Sequence, residues 1–138
     1  MPTKDKRGNG QNPFGVGYST ISFVEKVIRG AKGVSSFVRE NDILFNISFE
    51  TMAHKLGMPD STYDVPIVIS DAYRFSAALL TELHDAFPDV KVFALTGDWC
   101  KFTTEAESLA GMLGVKLLNS REFIGCLHRG VAKGYFEQ

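Results

Sequence analysis

The sequence predicts an α/β domain of three layers, in which helices cover both faces of a mostly parallel central sheet. The first observation is a series of short, predominantly apolar runs at 65–69, 90–95 and 115–118. Strands that are apolar on both faces belong in the middle of a parallel sheet that is covered by helices. The second observation is that amphipathic segments of helical length separate these runs. Strand and helix therefore alternate from residue 65 onward.

Composition narrows the class of protein further. A chain of 138 residues fits one domain with a sizeable core. The formal net charge of -1 excludes a general nucleic-acid coater, so any such binding must come from a local patch. Cys100 and Cys126 form no C-x-x-C pair, which argues against a disulfide framework or a structural zinc site. No apolar run approaches the roughly 20 residues of a membrane span, so we expect a cytoplasmic protein without a membrane partner.

The first eighteen residues differ from the rest of the chain. Residues 1–18 are rich in glycine and carry Lys4, Lys6 and Arg7, with little apolar content. Such a composition cannot offset the entropy of its own ordering by burial. We therefore expect a flexible basic arm at 1–18, followed by a single α/β domain at 19–138. The basic residues of the arm are candidates for contact with nucleic-acid phosphates, with a solvated tail or a clamp on a neighbouring subunit as alternatives.

The region before the predicted parallel strands has a different pattern. A capping box at 22–25 predicts that the first helix starts at Ser22. Two β-prone runs, 34–39 and 43–47, flank a short polar segment and predict an antiparallel hairpin. Ser48 is predicted to cap a short helix over 49–56, because the apolar residues there recur at helical spacing.

Three helices are predicted among the later strands. One spans 72–87 and buries Leu79. The next starts with a capping box at Thr104 and buries Leu109, and the last is capped by Ser120.

Polar side chains follow each of the three apolar strands. In a parallel sheet, ligands bind outside the carboxyl ends of the strands. Two carboxylates, several hydroxyls and an amide at this rim would suit a phosphate-bearing ligand or a hard cation such as Mg²⁺. The structural alternative is that these residues cap helices and form turns, and no metal ligand is assigned on this pattern alone. The residues of the predicted rim are Asp71, Thr96, Asp98, Asn119 and Ser120.

Weaker patterns occur elsewhere. The G-V-G-Y-S-T segment at 15–20 lacks the preceding strand and the lysine of a phosphate loop. Cys126 and the histidines lack the paired spacing of a zinc site. Four aromatic residues could stack on bases or anchor a partner, although isolated aromatic residues more often pack in the core or at its edge. They are Trp99, Phe102, Tyr135 and Phe136.

Three motifs in the second half of the chain resemble the end of restriction-endonuclease-like domains of the type IV, Mrr-like group. They are V-F-A-L-T-G at 92–97, F-T-T-E-A at 102–106 and G-V-K-L-L at 114–118. In that group a strand, an F-T-x-E-A helix start and a G-V-x-L-I strand follow in this order. The upstream order of helix, hairpin, strand and helix also suits that fold and places Glu25 on the first helix. The resemblance covers about two thirds of the chain.

The resemblance also shows what is missing. Such nucleases hold Mg²⁺ with an acid before or on the second strand and with E-x-K or Q-x-K on the third. Here the second strand offers Asn46, and the third, at 66–71, contains no lysine. The resemblance therefore implies a catalytically degenerate module whose partner is nucleic acid or a nucleic-acid-processing protein complex. If catalysis is retained, it implies a Mg²⁺-dependent nuclease, with Glu25, Asp71 and Asp98 as the candidate catalytic residues.

Two alternatives belong to other functional classes. The segments 67–71, 88–97 and 117–120 also resemble the later strands of a response-regulator receiver, in which Asp71 would match the phosphoacceptor and Thr96 the switch hydroxyl. Asn119 and Ser120 replace the usual Lys-Pro pair, and no acidic pair follows a first strand. This resemblance implies a receiver-like signalling or phosphate-binding domain. The other alternative is a structural subunit of a larger assembly, such as a homo-oligomer, that is held by its N-terminal arm.

Overall fold

The computed structural model describes residues 16–50 and 62–129. These residues form four helices and seven strands. No helix among them is long and apolar enough to cross a membrane. In chain order the elements are α1 (Tyr18–Arg29), β1 (Val34–Arg39), β2 (Leu44–Glu50), β3 (Thr62–Ser70), β4 (Arg74–Phe75), α2 (Ala77–Ala86), β5 (Val92–Leu95), β6 (Lys101–Phe102), α3 (Thr104–Leu113), β7 (Lys116–Leu118) and α4 (Ser120–Arg129).

The main sheet has five strands in the order β1-β2-β3-β5-β7. The pairs β1/β2 and β2/β3 are antiparallel, whereas β3/β5 and β5/β7 are parallel. The predicted α/β class is confirmed, but the prediction of a mostly parallel sheet is wrong because the sheet is mixed. The physical reason is that β2 and β3 pair over seven residues in opposite directions, so half of the strand pairs are antiparallel.

Strand β2 also corrects a predicted helix. Ser48 and Phe49, assigned from the sequence to a helix start, lie in β2. Inward-facing Ile47 and Phe49 are buried, whereas Asn46 and Ser48 are half-buried. This alternation is typical of an antiparallel strand with one face on the core. Phe49 stacks on Tyr63 of β3 with the ring centroids 5.6 Å apart. Glu50, also part of the predicted helix, is the last residue of β2. The remaining predicted helical residues, 51–56, lie outside the described residues.

The core lies on both sides of the sheet at its centre. All four residues of β5 are buried, which requires cover on both faces. Helices α2 and α3 connect parallel neighbours and pack against each other. The loop between α1 and β1 contacts α4, where the Gly33 N–H donates to the Leu127 carbonyl at 3.1 Å. A Cβ at Gly33 would lie 2.5 Å from that carbonyl oxygen, so this close approach requires glycine.

The starts of α1 and α2 differ from those predicted, whereas α3 begins at Thr104 as predicted but has a different cap. Helix α1 begins at Tyr18 instead of Ser22. Helix α2 begins after Ser76, whose hydroxyl accepts the Leu79 N–H at 3.1 Å. Residues 72–75, predicted as helix, are therefore a loop and strand β4. Helix α3 is capped by Thr103 instead of Thr104, because the Thr103 hydroxyl accepts an N–H from the first turn.

The changed start of α2 also changes its buried face. Leu80 and Leu83 are buried, whereas Leu79, predicted to be buried, is only partly covered. In α3 the same correction applies, since Ala106 and Ala110 are buried and Leu109 is partly covered.

Truncation of Leu80 tests this packing. Leu80 is fully buried in the core. We expect Leu80→Ala to lower the free energy of unfolding by about 2 to 5 kcal/mol, because it removes buried surface and leaves a cavity. Urea unfolding followed by circular dichroism measures the loss. Leu79→Ala is the matched control and should cost less, since its side chain is already partly in water. An equal or larger loss for Leu79→Ala would contradict the described helix face.

Candidate functional site

The carboxyl ends of β3, β5 and β7 lie side by side, because these strands are parallel neighbours. We call this edge the carboxyl rim and define it as residues 70–76, 96–103 and 119–121. The Thr96 N–H donates to the Ser70 carbonyl at 3.1 Å and joins the first two segments. The Ser120 hydroxyl donates to Asp98 Oδ1 at 2.6 Å and joins the last two. The structure thus brings the predicted rim residues Asp71, Thr96, Asp98, Asn119 and Ser120 to one edge of the sheet.

Asp71 has a structural partner at this rim. Its Oδ2 accepts the N–H of Gly17, the N-cap residue of α1, at 3.2 Å. No side chain within α1 caps the helix, and its first turn contains no acidic residue. The Asp71 carboxylate therefore supplies a negative charge at the positive end of the helix dipole. This contact gives Asp71 a structural role that requires no bound ligand.

Asn119, and not Ser120 as predicted, caps α4. Asn119 Oδ1 accepts the Glu122 N–H at 2.8 Å, and Glu122 Oε1 accepts the Asn119 N–H at 2.9 Å. These two bonds form a capping box. The buried Ser120 hydroxyl is consequently available to hold Asp98 and fix the loop that follows β5.

The three candidate catalytic acids are held by three different partners. Glu25 on α1 forms an ion pair with Arg39 Nε at 2.9 Å. Asp71 accepts from the backbone of Gly17, and Asp98 accepts from a hydroxyl. Within 16–50 and 62–129, no group of three or more His, Cys, Asp or Glu residues could hold a metal ion. The geometry therefore assembles no shared acidic site from these residues.

The nuclease resemblance implies an acid before or on the second strand and a lysine on the third, and β2 and β3 carry other residues at the positions described next. Asn46 of β2 lies directly opposite Pro66 of β3. The Asn46 side-chain oxygen is buried and has no hydrogen-bond partner among the described residues. Two residue pairs further along, the Ser48 hydroxyl donates to Asp64 Oδ1 at 2.5 Å. These opposed positions therefore carry an amide and a proline, neither of which is a carboxylate or an ammonium group.

Two loops of the carboxyl rim are tied together by a second, two-stranded sheet. Strands β4 and β6 are parallel. The Lys101 N–H donates to the Tyr73 carbonyl at 3.1 Å. Phe75 and Phe102 pack edge to face with their ring centroids 5.2 Å apart. This pairing holds the segment after β3 against the segment after β5.

The same loops present two aromatic side chains to solvent. Tyr73 is 74% exposed and Trp99 is 60% exposed. The Trp99 ring lies over the backbone of the buried Gly97, where a Cβ would be 2.6 Å from ring atom Cε2. The sequence allowed either a packed or an exposed position for Trp99, and the Trp99 side chain is exposed. Tyr73 was not predicted as a site residue, because 72–75 was assigned to a helix.

Two clefts open between these loops and the neighbouring helices. The first, about 400 Å³, is lined by Tyr73, Arg74 and Lys101 and by the start of α3 with Glu105, and we call it the Arg74 cleft. The second, about 460 Å³, is lined by Asp98, Cys100, Lys101, Glu107, Asn119, Ser120 and Arg121, and we call it the Ser120 cleft. Among these residues the Arg74 cleft carries two cations and one acid, whereas the charges of the Ser120 cleft balance.

The cysteines are not suited to act as nucleophiles. Cys100, within the rim, and Cys126, in α4, are both buried. Burial raises the pKa of the Cys100 thiol, and the negative charge of Asp71 raises that pKa further. Burial raises the pKa of Cys126 to about 11. Both thiols therefore stay protonated at neutral pH.

The described chain starts at the carboxyl rim, since Gly17 contacts Asp71 there. The segment that carries Lys4, Lys6 and Arg7 joins the domain at this point. Those three residues lie outside the described residues, as do Tyr135 and Phe136.

No protein-family model, curated protein or solved structure matches this chain. The restriction-endonuclease and receiver resemblances therefore stay predictions. Any function has to be inferred from the residues of the carboxyl rim and from their surroundings.

Replacement of Asp71 tests its structural role. We expect Asp71→Ala to lower the free energy of unfolding by about 1 kcal/mol, because α1 loses a hydrogen-bond acceptor and a favourable charge. Asp71→Asn should lose less, since the amide oxygen still accepts from Gly17. Thermal and urea unfolding compare the variants. A gain in stability on removing the charge would instead mean that Asp71 is repelled by neighbouring carboxylates, as in a vacant cation site.

The raised pKa of Cys126 predicts a stability change at alkaline pH. The unfolded chain can ionise this thiol near its ordinary value of 9.0, whereas the folded protein holds it neutral to about 11. The stabilisation is therefore complete below pH 9 and is lost as the pH rises toward 11, by about 1 to 3 kcal/mol. Urea unfolding across this pH range should show a flatter dependence for Cys126→Ala than for the wild type. Parallel curves for the two proteins would exclude this contribution.

Proposed function

We propose that this protein is a nucleic-acid-binding module, restriction-endonuclease-like and catalytically degenerate, which binds through the carboxyl rim. One observation carries the proposal: the exposed aromatic rings of Tyr73 and Trp99 lie on two joined loops that also carry Arg74 and Lys101. Exposed aromatic rings are surfaces on which bases stack, and basic side chains beside them neutralise phosphates.

The charges of the Arg74 cleft support this assignment. With a net charge of -1, the chain can attract a polyanion only through a local patch. Arg74 and Lys101 are exposed and form no ion pair with any described residue. Their charges are therefore available to a ligand. Exposed Arg121 extends the basic surface toward α4.

The order of elements supports the restriction-endonuclease-like part of the proposal. Apart from the short strands β4 and β6, the elements α1, three successive antiparallel strands, α2, β5, α3 and β7 follow in the order that the resemblance implies. Asn46 on the second strand and the absence of lysine from 66–71 support the loss of catalysis. A partner in this proposal is nucleic acid itself or a protein complex that processes it.

The receiver alternative is less well supported. A receiver alternates strand and helix from its start, whereas β1, β2 and β3 follow one another as antiparallel neighbours. The matching Asp71 is also engaged with the backbone of Gly17. For the structural-subunit alternative, no feature of the described residues favours a particular assembly.

A salt-dependent binding experiment tests the proposal. We expect fluorescence-anisotropy titrations of labelled DNA and RNA to show affinity that falls as salt rises, because phosphate binding releases counterions. Replacing both Arg74 and Lys101 with alanine should reduce the slope of log affinity against log salt by about 0.7 to 0.9 for each phosphate that is no longer neutralised. Lys91→Ala is the matched control, since Lys91 is exposed at the amino end of β5, opposite the rim.

The same titration separates the arm from the rim. If Lys4, Lys6 and Arg7 contact phosphates, their replacement with alanine lowers the salt slope further and additively. A gel of the titrated samples, with and without Mg²⁺, tests cleavage, and we expect none. Failure to bind any DNA or RNA at low salt would overturn the proposed function, and cleavage would overturn its degenerate character.

A further inference from the structure

We infer that the carboxyl rim selects single-stranded over double-stranded nucleic acid and stacks unpaired bases on Tyr73 and Trp99. This inference rests on the proposed function and specifies its ligand. It follows from three features of the rim: the exposure of the two rings, the position of the cations beside them, and the acids that flank those cations.

The exposed rings of Tyr73 and Trp99 can stack on the faces of unpaired bases, which a duplex does not present. Tyr73 is anchored by its carbonyl, which accepts from Lys101, while 74% of the residue remains exposed. Trp99 rests on the backbone of Gly97 and is still 60% exposed. In a duplex the faces of the bases are covered by their neighbours. A single strand can splay its bases onto aromatic side chains.

The cations are placed to follow the backbone of such a strand. Arg74 and Lys101 are direct partners in the β4/β6 pairing. Neighbouring strands lie about 4.8 Å apart, so the two side chains start from adjacent points of one small sheet. Arg74 follows Tyr73 by one residue, and Lys101 follows Trp99 by two. Each stacking surface thus has a phosphate-binding group beside it.

The acids near these cations disfavour a duplex. Glu105 lines the Arg74 cleft, and Asp98 and Glu107 line the Ser120 cleft. A duplex carries one negative charge for about every 1.7 Å of its axis, and a single strand carries about half that density. A duplex laid across the rim would bring phosphates against these carboxylates. A single strand can place its phosphates at Arg74 and Lys101 and its bases on the rings.

Trp99 provides a direct readout, because it is the only tryptophan in the chain. We expect its fluorescence to be quenched by an unlabelled single-stranded oligonucleotide and to change little with the matched duplex at the same salt. Because the signal comes from the proposed stacking surface itself, binding elsewhere on the protein would leave it unchanged.

Variants then measure the stacking. In the full chain, Tyr73→Ala and Trp99→Ala should each weaken single-strand binding by about 5- to 150-fold, the range expected when one base no longer stacks. Their salt slopes should stay unchanged, because the phosphate-binding side chains are all retained. Trp99→Phe should retain part of the affinity. Phe23→Ala is the matched control, since Phe23 is a 54% exposed aromatic on α1 that lines neither cleft. Circular dichroism verifies that each variant is folded. If Trp99→Ala unfolds, the Tyr73→Ala variant still tests whether base stacking contributes to binding.

The outcomes separate the inference from the proposed function. Preferential binding of single strands, with weaker binding by the two aromatic variants, supports the inference. Equal or tighter binding of duplex, or single-strand binding that both variants leave intact, overturns the inference while the nucleic-acid-binding function stands. No binding of DNA or RNA of either kind overturns both.

Discussion

Strand β3 is the constraint on which the rest of this domain depends, because it pairs with neighbours on both sides in opposite directions. Its antiparallel pairing with β2 continues through β1 and creates the first half of the sheet. Its parallel pairing with β5 aligns the carboxyl ends of the later strands. Val65 and the run 67–70 are buried, so neither pairing can slip without moving apolar side chains out of the core. The position of the carboxyl rim is therefore set by the strand that joins the antiparallel and parallel parts of the sheet.

The polar residues at that rim mostly stabilise the protein. Asp71 accepts from the start of α1, Asn119 caps α4, and Ser120 holds Asp98. Each of these groups would cost free energy if it were buried or fixed without a partner. Once they are assigned to the scaffold, the groups left facing solvent at the rim are the aromatic and basic side chains of the two loops. This division of roles is why the proposed function rests on Tyr73, Arg74, Trp99 and Lys101.

The sequence predicted those parts of the fold that depend on local patterns. The apolar runs near 65, 90 and 115 do contain strands, and α3 ends at Gly114, a glycine in the left-handed conformation. The strand over Ser48 and Phe49 was missed because its side-chain spacing suits a helix equally well, and only the pairing with β3 decides between them. The convergence of the rim residues was predictable from the parallel strands. Their individual partners were not, since Asp71 and Gly17 are 54 residues apart.

The most informative wrong prediction is the helix over 72–75, because this segment contributes two of the four side chains on which the proposed function rests. Its composition is compatible with a helix, and only Ser76 marks the true start of α2. What draws the segment out of the helix is its pairing with 101–102, a contact between chain positions that no local pattern reveals. The same pairing exposes Tyr73 and places Arg74 next to Lys101. The two loops that form this surface meet only in the folded chain. The residue types of either loop alone therefore do not reveal the surface. The function of this domain is therefore better sought in how its loops pair than in the catalytic motif that it lacks.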